Sequence, residues 1–153
     1  MMVPQNLDFK GSINESIQRA AGYDVDSFIL ENIYKPKIGE VYALPGGDIA
    51  AKHILVGIMP HYRTDFDRNE SDLSAVMRKM MELARCMLFS SVAVPPLGSG
   101  RKGFAKAKAA RLVVHGIHDR MHEGLEEVRI ICNDENSLPI FTSKLEMFGW
   151  KPA

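Results

Sequence analysis

Apolar positions along this chain follow two periods, and the switches between them set the expected elements. Leu73, Val76, Met77, Met80, Ala84, Met87 and Leu88 fall at helical spacing, which predicts an amphipathic helix over 70–89 with Asn69 as its cap. A second stripe of Ala110, Val113, Val114, Ile117 and Met121 predicts another helix. Leu138, Phe141, Leu145 and Phe148 predict a last one that stops at Gly149. Nearer the start, Ser12-Ile13-Asn14-Glu15 has the form of a capping box, in which each side chain satisfies a backbone donor of the other, and it opens a helix over 13–21 that Gly22 ends. A short helical piece over 26–32 precedes the break at Lys35-Pro36-Lys37. Between the helices lie short β-prone runs at 1–4, 40–44, 53–59, 91–94 and 128–132. The runs 40–44 and 53–59 flank Pro45-Gly46-Gly47-Asp48 and predict two strands joined by a glycine turn. Strands alternating with helices imply an α/β sandwich, a mostly parallel sheet covered on both faces.

Composition narrows the class without changing that picture. A chain of 153 residues, 46% hydrophobic and 25% charged, is long enough for one core and too apolar for disorder. No linker or repeat divides it, so a single domain over 1–153 is expected. Its longest unbroken apolar run, 54–60, is far below the ~20 residues of a membrane helix. The start lacks the basic and apolar regions of a secretory signal, and Cys86 and Cys132 form neither a CxxC nor a disulfide framework. A reduced, cytoplasmic protein is the expectation. Lysine plus arginine balances aspartate plus glutamate at 19 each, so an anion site has to come from local clustering.

Such a cluster exists. Gly98-Ser99-Gly100-Arg101-Lys102-Gly103 follows the 91–94 strand and precedes a helix, the setting in which glycines let backbone N–H groups close around a phosphate. Arg101, Lys102, Lys106, Lys108 and Arg111 follow with no acid among them, although the partial positive charge of a helix N-terminus favours acids. Two explanations stand, an anion held by the loop or a solvated basic helix face. The six residues also match GxGxxG, with Asp134 beyond the next strand as a ribose-binding acid, which is the pattern of a nicotinamide-dinucleotide site. Against it, Pro95-Pro96 separates strand from glycines and the strand does not open the domain. Zero net charge and the lack of interleaved aromatics argue against nucleic acid as the partner of the basic face.

The residues also resemble a family. Asn6, the glycine-containing stretch to Gly11 and a helix closing in Ser16-Ile17-Gln18-Arg19-Ala20-Ala21-Gly22 resemble the first signature of macro domains. Ala51-Lys52-His53-Ile54-Leu55-Val56-Gly57-Ile58-Met59-Pro60 is similar to the family's central strand, and 92–104 to its second phosphate loop. The resemblance implies a three-layer α/β/α sandwich with a mixed, mostly parallel central sheet. It implies a ligand of the ADP-ribose type, its pyrophosphate held between Gly11 and Ser12 on one side and Gly98, Ser99, Gly100, Arg101, Lys102 and Gly103 on the other. Asn6 matches the asparagine that faces the distal ribose, and Lys102 and Phe104 stand where the family often has aromatics beside that sugar. Two functions follow: hydrolysis of O-acetyl-ADP-ribose, ADP-ribose 1″-phosphate or an ADP-ribosylated protein, or a non-catalytic module that reads free or protein-linked ADP-ribose. No metal and no redox cofactor is implied.

Three departures qualify the match. Asn14 stands where the family's hydrolases usually carry aspartate, and a neutral amide cannot act as a general base, so turnover is expected to be slow. Lys10-Gly11-Ser12 is thinner in glycine than the usual loop. The chain begins where the family already has strands, including the one whose acidic residue pairs with adenine; an exposed sheet edge at Met1, Met2 and Val3 and a homodimer that covers it are therefore expected. Other residues have bland readings. His115, His118 and His122 share one helical stripe, and three ligands from one straight helix do not converge on one ion, so they read as surface. The nine methionines read as core filling, and both cysteines as buried and inert.

Overall fold

A computed structural model describes residues 1–60, 66–98 and 104–151. Among the described residues five strands and five helices follow in the order β1 (Met2–Val3), α1 (Ser12–Ala21), α2 (Tyr23–Asn32), β2 (Val41–Pro45), β3 (His53–Ile58), α3 (Phe66–Cys86), β4 (Ser91–Val94), α4 (Lys106–His118), β5 (Glu127–Ile130) and α5 (Ser137–Met147). β1 runs parallel to β3 (Met2 opposite Gly57), β2 antiparallel to it (Val41 opposite Gly57), and β4 parallel to β5 (Ser91 opposite Glu127). Among the described residues the strands form a mixed three-stranded sheet in the order β1-β3-β2 and a parallel pair β4-β5, and parallel pairings predominate, as the pattern predicts.

The period of two in β3 makes the layers. Ile54, Val56 and Ile58 join a core with Ala21, Val25, Ile29 and Ile33 of the α1–α2 side, together with Met1, Val3, Phe9 and Leu44. The opposite face belongs to a second core in which Met2, Met59 and Val94 meet Leu73, Val76, Met77 and Met80 of α3, Val113 and Val114 of α4, and Phe141 of α5. Helices on both sides of a sheet give the α/β/α sandwich. Each fully buried Leu, Val or Met side chain contributes about 1.5–3 kcal/mol. Gly57 lets α3 come close, because a Cβ there would lie 2.3 Å from Val76 Cγ1.

Several local expectations need correction. α1 takes Gly11 as its N-cap without a side-chain cap, so the reciprocal box of Ser12 and Glu15 does not form; only its return half exists, displaced by one residue, with the Gly11 N–H donating to Glu15 Oε1 at 3.2 Å. α3 starts upstream of Asn69, which lies within the helix and is 4% exposed. It also stops at Cys86, where Leu88 takes a left-handed φ of 57 and the Phe89 N–H reaches back to the Ala84 carbonyl. Met121 falls beyond the end of α4 and is exposed, as are Leu138 and Phe148 of the last predicted stripe; α5 buries Phe141 and leaves those two outside. Cys86 is exposed rather than buried, while burial pushes the half-buried Cys132 thiol up.

Met1, Met2 and Val3 are only 6, 4 and 0% exposed within a single chain. Their side chains are covered because they alternate between the two cores, while β1 remains the outer strand of the β1-β3-β2 sheet, paired with β3 alone among the described strands. Among the described residues no helix is long and apolar enough to cross a membrane.

Candidate functional site

Residues 4–11 leave the carboxyl end of β1, the end at which parallel sheets usually take ligands. A turn closes where the Leu7 N–H donates to the Pro4 carbonyl at 2.9 Å, and it holds Leu7 at φ 56, which costs a bulky L-residue about 1–2 kcal/mol. Phe9 pins the loop by entering the α1–α2 core. Three loop amides then donate to nearby side chains: Asp8 N–H to Asn6 Oδ1 at 3.3 Å, Lys10 N–H to Asp8 Oδ1 at 3.1 Å, and Gly11 N–H to Glu15 Oε1 at 3.2 Å. Gly11 has φ 115 and ψ 145, a backbone that favours glycine and directs the chain into α1.

The predicted residues of this loop do not all face the same way. Asn6 is exposed, its carboxamide oxygen taken by Asp8 while Nδ2 has no partner among the described residues. Ser12 is exposed at the first turn of α1. Asn14 is half-buried and donates from Nδ2 to the Met2 carbonyl at 2.9 Å, so it ties α1 to β1. Asp8 and Glu15 were not singled out as loop residues. The signal was available for Asp8, since an Asx side chain commonly accepts the N–H two residues on.

The second predicted loop is described at its two ends. Gly98 has φ 85 and is buried against Leu73 and Ala109, and its carbonyl accepts the Phe104 N–H at 3.1 Å, which draws the ends together. Phe104 is half-buried and packs on the α3–α4 core. Ser99, Gly100, Arg101, Lys102 and Gly103 lie outside the described residues.

The basic run that follows is answered by acids. Lys106 pairs with Asp134 at 3.3 Å; Lys108 and Arg111 both pair with Glu70 of α3, the arginine at 3.6 Å. Each of these three cations thus has an acidic partner, Glu70 being shared by two of them. Asp134 also accepts the Ser137 hydroxyl at 2.7 Å and the Asn136 and Ser137 N–H groups, and the Ser137 hydrogen bond leads the causes that hold its carboxyl below the usual range. These contacts tie Asp134 to the first turn of α5, which begins at Ser137. The glycines are also separated from α4, which begins only at Lys106. His115 and His118 share Asp119, whose carboxyl they hold low, and both rings contact Phe148.

The model of the Macro domain family matches residues 3–113. The chain is 26% identical over 148 residues to the O-acetyl-ADP-ribose deacetylase of Salmonella newport, covering 94% of this chain and 83% of that one. It is 25% identical over 138 residues to a macro domain-containing protein of Listeria monocytogenes, covering 86% of this chain and 78% of the relative. Among solved structures it is similar to the Oceanobacillus iheyensis macrodomain with ADP, at a TM-score of 0.79 and 21% identity, covering 91% of this chain and 77% of that chain. The macro domain of ganglioside induced differentiation associated protein 2 gives a TM-score of 0.87 at 22% identity, with 97% and 75% covered.

Proposed function

The chain belongs to the macro domain family, and on that footing we propose that it binds ADP-ribose or a derivative, free or attached to protein. The observation that carries this reading is that the family match, 3–113, spans both loops, the first leaving β1 and the second leaving β4 at its carboxyl end. In this reading Asn6 Nδ2 donates to the distal ribose, and the diphosphate lies between Gly11 and Ser12 on one side and Gly98 to Gly103 on the other. The names of the deacetylase relatives raise a hydrolytic version. Asn14 argues for the binding version: it carries no base, and its amide already holds the Met2 carbonyl.

Calorimetric titration tests the ligand. ADP-ribose is expected to bind, NAD much more weakly because its distal ribose is blocked by nicotinamide, and a short RNA not at all. NAD winning would restore the dinucleotide reading, and RNA winning would move the site to the basic face.

The tie made by Asn14 reverses a natural expectation for the aspartate variant. Asn14→Asp would put a carboxylate where a donor now faces the Met2 carbonyl at 2.9 Å. It loses the hydrogen bond and sets two acceptors against each other, a cost of about 1–3 kcal/mol. Urea unfolding near neutral pH should show a variant less stable than the parent, and turnover of O-acetyl-ADP-ribose should stay slow in both. A stable, fast Asn14→Asp protein would show that this position needs only its missing base.

A further inference from the structure

We infer that Glu15 is an affinity-setting residue whose carboxylate competes with the ligand's diphosphate for the first loop; the inference rests on the ADP-ribose reading above. Three of the loop's amides are answered by acceptors of the chain itself, two of the three being carboxylates, those of Asp8 and Glu15. To a backbone N–H, a carboxylate oxygen and a phosphate oxygen are equivalent anionic acceptors. A diphosphate that approaches Gly11 therefore meets an amide already held and a like charge beside it. Both effects weaken binding until the side chain moves.

The structure offers Glu15 a second resting place. Arg19 lies four residues on along α1, at the spacing and in the order that favour a Glu-to-Arg pair, and it makes no ion pair among the described residues. Both side chains line one open groove between α1 and α2, with Gln18 and Asp26 beside them. Glu15 is exposed, so the swing from the Gly11 amide to Arg19 is a rotamer change and needs no backbone movement. Asp8 behaves in parallel: its carboxylate holds the Lys10 N–H and lies 3.9 Å from Lys10 Nζ, and displacing it would free that lysine for the phosphate. The first loop is thus closed by its own acids, and ligand binding exchanges them outward.

Titrations with ADP-ribose and with inorganic pyrophosphate, on the parent chain, Glu15→Ala, Glu15→Gln and Asp8→Ala, test this. Glu15→Ala removes both the competitor and its charge and is expected to tighten binding about fivefold to tenfold. Glu15→Gln keeps an acceptor for the Gly11 N–H and loses only the charge, so its gain is smaller and shrinks as salt is raised. Asp8→Ala is expected to tighten about threefold. Thermal melts confirm that each variant is folded. Affinity for ADP-ribose unchanged or weakened in folded Glu15→Ala overturns the inference and leaves the ligand reading standing. Pyrophosphate tightened in Glu15→Ala while ADP-ribose fails to bind upholds the inference and overturns the ligand reading. Binding of neither probe by any of the four proteins overturns both.

Discussion

Unfolding free energy of the chain that begins at Met1 is expected to fall by about 4 kcal/mol in all as pH drops from above 8 to below 5. The Met1 amine is buried and donates to the Leu55 carbonyl at 2.6 Å, and desolvation lowers its pKa from 8.0 to about 5. Between those values the unfolded chain binds a proton that the folded chain refuses, so stability is present in full above pH 8 and is lost as pH falls toward 5. Three units at about 1.4 kcal/mol each give the stated loss. Carboxylates do not confuse this window. Asp134, Asp119 and Glu40 are all held low by their partners, so what they contribute disappears only at still lower pH. Urea unfolding at steps across the range checks the slope, and a flat profile between pH 5 and 8 would show that the amine reaches water.

What the hydrophobic pattern could show was limited by what the pattern encodes. Alternation in 53–59 and the stripe from Leu73 to Ala84 are burial signals, and burial is what they delivered: β3 feeds two cores and α3 buries that stripe. Helix ends were less legible. Asn69 has a capping residue's chemistry, yet α3 begins upstream of it. Met121 and Phe148 continue the right period but fall past the last turn of their helices, where periodicity no longer means burial. Met1 to Val3 show a further limit. Three apolar residues in a row do not say which face each one takes, and the tertiary structure divides them between opposite faces of the sheet.

For the site, the family resemblance located the loops and the polar detail came from geometry. Asn14 looks in the sequence like a catalytic aspartate replaced by its amide; a hydrogen bond to a residue twelve positions away leaves no trace in spacing. The basic run had two readings because a sequence lists cations without their partners. Glu70, far upstream, and Asp134, beyond the next strand, are the partners that Lys106, Lys108 and Arg111 find in the fold. The Asn6–Asp8–Lys10 relay was within reach, since each link joins an Asx oxygen to the amide two residues on.

Gly47→Ala is expected to cost about 3 kcal/mol or more, well beyond the price of its backbone angle. The turn between β2 and β3 does more than reverse the chain. Asp48 N–H donates to the Ala21 carbonyl at 2.9 Å, which docks the turn on the last residue of α1. Gly47 has φ 59, a value an alanine can adopt for about 1–2 kcal/mol, but its Cβ would lie 2.0 Å from that same carbonyl oxygen. Backbone is on both sides of the clash, so no rotamer relieves it. Either the turn lifts off, breaking the Asp48 hydrogen bond, or the end of α1 shifts. Gly149→Ala is the control, since it also has a left-handed φ, 85, while nothing lies within 4 Å of an added Cβ. Urea unfolding of the two variants therefore separates crowding from backbone strain. Equal losses would mean that the 45–48 turn is not packed against α1. Gly47→Ala is also expected to weaken ADP-ribose binding, because the helix whose last residue it would push carries Ser12 and Asn14 at its other end.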